Sequence, residues 1–247
     1  MQGININSNE ARAYLEGKKF SSGLFIFLKP FDDNFISRDE YLCKISQGKD
    51  VIHFGFVDHL PIITEKLKSD MWLHKKLIDT SNSCYGIDIN KEGIEYLQNN
   101  LNIKNTFCID IVKNDIPLEI KTKHFDYLLL PDVIEHTGNP VDFLRSIHLK
   151  FKTFVDNIII TTPNVFRFRN FKELIRGREF INTDHNFWFS PYTISKNISE
   201  AGFLIDRLNY TQQSFPHRNN IRNLLKNLFL AKYPWFKDNL IIEARFK

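Results

Sequence analysis

The stretch Phe125 to Pro140, FDYLLLPDVIEHTGNP, runs as a buried strand up to Pro131 and then sets Asp132, Glu135 and His136 in quick succession. An imidazole titrates near neutral pH, so His136 at such a rim suits removal of a proton from a hydroxyl. His185, beside Asp184 in DHNFWFSP, is a second imidazole with the same capacity. Either histidine serves equally well as a helix cap or a backbone partner, and Glu135 reads as a supporting or helix-starting residue rather than the base. Two further carboxylates close strand-like runs. Asp88 in YGIDIN is placed to accept both hydroxyl hydrogens of a ribose, and Asp110 in CIDI is placed either to receive an adenine amino group or to cap the next turn. A single glycine, Gly55 in VIHFGFVD, allows the backbone to approach a ligand closely. Downstream, RFRNFKELIRGR carries Arg167, Arg169, Lys172, Arg176 and Arg178 against one acid, Glu173. Arginines so grouped grip a phosphate or carboxylate with paired hydrogen bonds, or form a solvated helix face. Phe187, Trp188, Phe189 and Tyr192 read first as packing, with one exposed ring able to meet a sugar face.

These residues need strands to carry them. Val51 to Phe56, Ser83 to Ile89, Thr106 to Ile111, Phe125 to Leu130 and Asn157 to Thr162 read as strands. Helical spacing separates them, as in Ile94, Leu97 and Leu101, and in Val141, Leu144, Ile147 and Phe151. This alternation predicts an α/β chain with a doubly wound, mostly parallel sheet. Gly202 to Tyr210 and Asn239 to Lys247 complete seven strands and are expected to pair antiparallel. Between them, at about 218–232, lies a basic amphipathic helix apolar at Ile221, Leu224, Leu225 and Leu228, suited to packing on the sheet or to peripheral contact with an anionic membrane. Residues 1–40 have no place in the alternation and are expected to form a cap or lid beside a body spanning 41–247.

The 247 residues, 43% hydrophobic, suffice for one large core. No apolar run approaches the roughly 20 residues of a membrane span, and the first residues lack a secretory signal, so a soluble cytoplasmic protein is expected. Cys43, Cys84 and Cys108 show neither paired nor His/Cys zinc spacing, which favours no disulfide and no metal site. Of a net charge of +4, residues 211–247 supply seven lysines and arginines against two acids. No nucleic-acid motif accompanies that excess, so nucleic acid is not an expected partner. No feature of the sequence fixes an oligomeric state.

The order of strands, Asp88 in YGIDIN, Asp110 in CIDI, PDVIEH after the fourth strand, TTPN after the fifth, and DHNFWFSP followed by AGF together resemble the class I S-adenosylmethionine-dependent methyltransferases. The likeness extends over roughly Arg38 to Tyr210 and the last strand, and looks most like the branch that tailors glycans and small metabolites. The resemblance implies a Rossmann-like methyltransferase fold with S-adenosylmethionine as cofactor. It places Gly55 under the methionine part, Asp88 on the ribose, Ile89 on the adenine, Asp110 with Ile111 beside the base, and Pro131 with Asp132 flanking the sulfonium. It further implies that His53 stands in the first cofactor-binding motif where the family has an acid, with Phe56 where it has a glycine. Asp58 and His59 then offer alternative polar contacts to the amino-acid end.

The expected activity is methylation, by preference at oxygen, of a small polar acceptor compatible with negative charge, such as a sugar, sugar nucleotide or phosphorylated metabolite of surface-glycan or capsule assembly. His136, His185 and Asp184 are the expected catalytic group. A methyltransferase fold retained as a binding or scaffold subunit is one alternative, motivated by the altered glycine motif. A nicotinamide-dependent dehydrogenase is another, disfavoured by the missing G-x-G-x-x-G.

Overall fold

The computed structural model describes residues 3–32, 36–58, 63, 65–67, 69, 71–213 and 221–247. Among the described residues nine strands form two sheets. The small one pairs β1 (Ile4–Asn5) with β2 (Ile26–Phe27). The large one contains β3 (Asp50–Phe54), β4 (Ser83–Asp88), β5 (Thr106–Cys108), β6 (Phe125–Pro131), β7 (Val155–Pro163), β8 (Phe203–Thr211) and β9 (Asn239–Phe246). Its order is β5-β4-β3-β6-β7-β9-β8. Every neighbouring pair from β5 to β7 is parallel, whereas β9 runs antiparallel to both β7 and β8. The expected doubly wound, mostly parallel seven-stranded sheet with its antiparallel last strand is thus observed.

Strands β6 and β7 are apolar on both faces because helices cover both. Leu128, Leu129, Leu130, Ile158, Ile159 and Ile160 are all buried. The helix Pro140–Phe151 starts with Asn139 accepting the Asp142 amide and proline at its first turn, and buries Leu144, Ile147 and Phe151 against the sheet. Helix Lys91–Leu101 is capped by Asn90, buries Ile94 and Leu97, and ends at Asn102 in the left-handed conformation. The helix Arg38–Ser46 opens with a capping box between Ser37 and Glu40, and crosses the expected boundary at residue 40.

Residues 3–32 lie along the free edge of β8. The Asn7 side chain accepts from the Leu208 amide at 2.8 Å and donates to the Leu208 carbonyl at 3.2 Å, while Arg12 donates to the Ile205 carbonyl at 3.2 Å. The Asn7 side-chain amide, with the Phe31 backbone amide donating to the same carbonyl at 3.1 Å, engages the Leu208 groups that an additional strand would take. At the opposite edge β5 is only three residues long.

The C-terminal amphipathic helix is observed over Ile221–Lys232, and 218–220 lie outside the described residues. Ile221, Leu224, Leu225 and Leu228 do not pack on the sheet: all four are exposed. The helix rests instead through Leu230, which is buried, and through Phe229, whose ring meets Phe168 and Phe236 at 5.2 and 5.5 Å. It sits on the aromatic rim of the sheet rather than across a face, which turns the expected apolar stripe outward.

Period-two alternation along β3 sends Ile52 and Phe54 to one face and Val51 and His53 to the other. His53 therefore lies buried against His74, with their Nδ1 atoms 3.2 Å apart. Burial lowers the pKa of His53 and pushes His74 down to about 3. The unfolded chain takes up protons near pH 6.5 and the folded chain does not, so stability present above pH 6.5 is lost as pH falls toward 3. Lowering the pH from 7 to 5 is expected to cost about 2 kcal/mol through His74 alone. Urea midpoints should show a shallower acid slope in His74→Leu, and an unchanged slope would locate the acid sensitivity elsewhere.

Candidate functional site

A cleft of about 490 Å³ opens at the carboxyl ends of β3, β4, β5 and β6, the place where open α/β sheets hold ligands. Gly55 and Phe54 form its floor at the first strand, Asp88 and Ile89 line it after β4, and Asp110, Ile111 and Val112 after β5. Val133 and His136 supply the far wall. Asp88 accepts the Val57 amide at 2.9 Å and the Asn90 amide at 2.9 Å, so one carboxylate ties the first and second turns together. Partial burial raises its pKa, and those backbone bonds oppose the shift. Ile89 is 74% exposed at the lip, an apolar surface with nothing packed over it. Asp110 accepts the Val112 and Lys113 amides, and the Lys113 ammonium at 3.0 Å lowers its pKa. Its turn-capping role is thus observed alongside its place on the cleft.

The first turn is built differently from its expected form. Gly55 has φ of +67°, and a Cβ there would stand 2.4 Å from Val133 Cγ2, so glycine is required both by backbone conformation and by the approach of the β6 loop. Phe56 does not enter the cleft. It is buried with Ile63, Trp72, Ile94 and Leu97, and its ring occupies the space that Gly86 leaves open, 2.8 Å from where a Cβ would stand. The expectation for His53 needs correction: it lies on the opposite face of β3, against His74, because the strand's alternation aims Phe54 rather than His53 toward the cleft side. Asp58 pairs with Lys66 at 2.8 Å, and His59 lies outside the described residues.

Pro131 and Asp132 also differ from expectation, since among the described lining residues Val133 represents that loop and neither of them does. Asp132 adopts φ of +52° and turns its carboxylate back to the sheet. It pairs with Arg38, accepts the Thr161 hydroxyl at 2.7 Å, and accepts both contacts of the Asn239 amide at 3.3 Å. Although burial opposes it, the charges of Asp132 and Asp39 raise the Arg38 pKa, holding the guanidinium ionised.

Beyond that turn a single 3-10 turn, Ile134–His136, carries the first catalytic candidate, His136, together with Glu135. The loop 182–188 docks onto it through the main chain: the Asn186 and Phe187 amides donate to the Glu135 carbonyl at 2.8 and 3.3 Å, and the Asn186 side chain donates to the His136 carbonyl at 2.9 Å. This docking brings His185 beside His136, with ring centroids 4.6 Å apart. His136 Nδ1 lies 3.0 Å from the Asp184 carbonyl, so Asp184 meets the imidazole through its main chain. Glu135, expected in a supporting role, is 1% exposed and faces His185 Nε2 at 4.0 Å. Burial, then the Asp132 charge, pushes its pKa up to about 8, while burial and the His136 charge lower that of His185. Only the buried position of Glu135, invisible in the sequence, separates it from an ordinary helix-starting acid.

A second cavity, of about 790 Å³, adjoins this end of the site. Phe166, Phe171, Phe180, Trp188, Trp235 and Phe236 line it. Arg167 lies over Trp188 at 4.8 Å and Arg169 over Phe180 at 3.2 Å, so the basic segment faces the aromatic wall. Phe189 is buried packing, and Trp188 is the ring that reaches the cavity.

Residues 71–152 match the protein family described as "Methyltransferase domain". Among solved structures, the chain is similar to the small RNA methyltransferase HEN1 (TM-score 0.54, 18% identity, 85% of this chain and 25% of that one). It is also similar to the Synechocystis PCC 6803 magnesium protoporphyrin IX methyltransferase with bound SAH (TM-score 0.50, 16% identity, 85% and 82%). A third likeness is to a Haloferax volcanii complex of a methyltransferase activator with a putative methyltransferase (TM-score 0.50, 12% identity, 84% and 87%). The chain thus spans a quarter of the HEN1 chain and most of the other two. No curated protein matches the chain significantly. At these identities the structural likenesses show the Rossmann-like methyltransferase fold, and the domain match covers residues 71–152 of it.

The packing of Phe56 into the gap at Gly86 is directly testable. Gly86→Ala should destabilise the protein by about 1 to 3 kcal/mol through overpacking. Adding Phe56→Leu should recover part of that loss in the denaturation midpoint, whereas additive losses would show that the two positions do not share the space.

Proposed function

We propose that this chain transfers the methyl group of S-adenosylmethionine to an oxygen of a small polar acceptor, a sugar, sugar nucleotide or phosphorylated metabolite of surface-glycan assembly. The observation that carries the reading is the pair of imidazoles, His136 and His185, 4.6 Å apart between ring centroids, each beside a different cavity. His136 lines the cleft formed at the ends of the parallel strands, and its neighbour His185 contacts Trp188, at 6.1 Å between ring centroids, on the wall of the other.

In the first cavity Asp88 would receive the ribose hydroxyls, with Ile89 and Ile111 as apolar surfaces for the adenine and Asp110 beside it. Gly55, which lines the cleft at the end of the first strand, would lie under the methionine part. The sulfonium methyl supplies the electrophile, and the chain's task is to hold the acceptor oxygen in line with it. Such positioning contributes up to roughly 7 to 11 kcal/mol in favourable cases. The aromatic wall with Arg167 and Arg169 suits an acceptor that combines a stacking face with negative charge. His136 offers a nitrogen at the boundary for the hydroxyl proton, with its other nitrogen oriented by the Asp184 carbonyl. Against the scaffold alternative, Phe56 packs beneath the turn instead of filling the cleft.

Calorimetric titration with S-adenosylhomocysteine, with NAD as comparison ligand, tests this reading. Micromolar binding of S-adenosylhomocysteine is expected, weakened roughly tenfold or more in Asp88→Ala by the loss of hydrogen bonds to a charged acceptor. Binding of NAD in its place would reassign the cleft to a dehydrogenase, and binding of neither by the folded protein would favour the scaffold.

A further inference from the structure

Glu135, His136 and His185 each offer one ligand atom, and these atoms all lie within 4.8 Å of one another. Their surroundings leave electron pairs directed at the common centre. Glu135 Oε2 accepts the Thr162 hydroxyl at 3.1 Å, while Oε1 is buried without a hydrogen-bond partner and faces His185 Nε2 at 4.0 Å. That separation is too long for a hydrogen bond and leaves room between the two atoms. A buried carboxylate oxygen with no partner is costly unless a positive centre meets it. His136 Nδ1 faces a carbonyl, which can only accept, so Nδ1 carries the hydrogen and the lone pair falls on Nε2. An imidazole whose second nitrogen is held by a backbone carbonyl is oriented as metal-bound histidines are. Asp132 lies close by, but its carboxylate is already engaged by Arg38, Thr161 and Asn239, so it is not counted among the ligands.

We propose that Glu135, His136 and His185 bind one divalent transition-metal ion, of the class of Mn²⁺, Co²⁺ or Zn²⁺, at the junction of the two cavities. Two imidazoles and one carboxylate favour this class over Mg²⁺ and Ca²⁺, which prefer oxygen-only shells. A three-ligand set leaves coordination positions open, as in catalytic rather than structural sites. The use of those positions rests on the methyltransferase reading: they take the acceptor's hydroxyl oxygen. With its Nε2 on the ion, His136 acts as a ligand in place of a base: the ion lowers the hydroxyl pKa, and the proton leaves to solvent. The oxygen–methyl bond then forms as the carbon–sulfur bond breaks, its electron pair remaining on sulfur in S-adenosylhomocysteine. The same arrangement gives Glu135 a role that the buried position alone does not explain.

The test uses the full chain, stripped with a chelator and titrated separately with Co²⁺ and S-adenosylhomocysteine, following Co²⁺ by visible absorption and calorimetry. One equivalent of Co²⁺ should bind with ligand-field bands of mixed imidazole and carboxylate ligation. Glu135→Gln, His136→Asn and His185→Asn should each weaken it roughly tenfold or more, with the melting temperature retained in each, and with S-adenosylhomocysteine binding retained in Glu135→Gln and His185→Asn, whose positions do not line the cleft. Absence of saturable Co²⁺ binding by the folded protein, or an affinity unchanged in all three variants, would overturn the site. If S-adenosylhomocysteine binds and Co²⁺ does not, the metal inference falls and the methyltransferase reading stands. If Co²⁺ binds through these residues and S-adenosylhomocysteine does not, the site stands and its role in methyl transfer falls.

Discussion

At the end of β6 the chain must turn without a glycine, and the left-handed conformation of Asp132 makes that turn. A short polar side chain tolerates this region better than most, yet it still needs surroundings that hold it there. Arg38, Thr161 and Asn239 do so from a helix and two different strands. The next four residues take three different directions. Val133 is sent against Gly55, Glu135 is sent inward to Thr162, and His136 is left on the cleft. The glycine at position 55 and the bend at Asp132 are thus two halves of one contact, in which the backbone of β3 makes way for the loop of β6.

The same turn separates two groups that are neighbours in sequence. Glu135 is enclosed by the docked loop and loses its solvation, which favours its neutral form. His136, one residue on, stays exposed and keeps one nitrogen oriented by a carbonyl. Main-chain bonds to the Glu135 carbonyl and the Asn186 side chain on the His136 carbonyl hold the loop 182–188 in place, and they set the position of His185. Asp88 plays the corresponding part across the cleft, where its carboxylate joins the turns after β3 and β4 while remaining on the lining.

Strand order and the carboxylates at strand ends were legible because periodicity reports burial directly: the runs LLL of β6 and III of β7 can only be doubly covered strands. Alternation also contained the answer for His53, since Ile52 and Phe54 share one face and His53 must take the other. What the sequence withheld depends on contacts distant along the chain. Phe56 looks disruptive until Gly86, on the adjacent strand, is seen to leave room for it. Glu135 looks like a cap until a loop from beyond β7 closes over it and delivers His185. The C-terminal helix shows the reverse limit: its apolar period is real, but a moment has no information about which neighbour, if any, the stripe will meet.

Asn7 carries one more implication. A side-chain amide has the donor and acceptor of a peptide unit, and here it stands in for one residue of a strand that never arrives. Because it belongs to a side chain, it offers no onward backbone to continue the ladder. The sheet therefore terminates within its own molecule, and a second copy approaching β8 finds Leu208 already engaged. Asn7 is in this sense a chain-stopper written into a side chain, engaging an edge residue that would otherwise face outward with its peptide groups open.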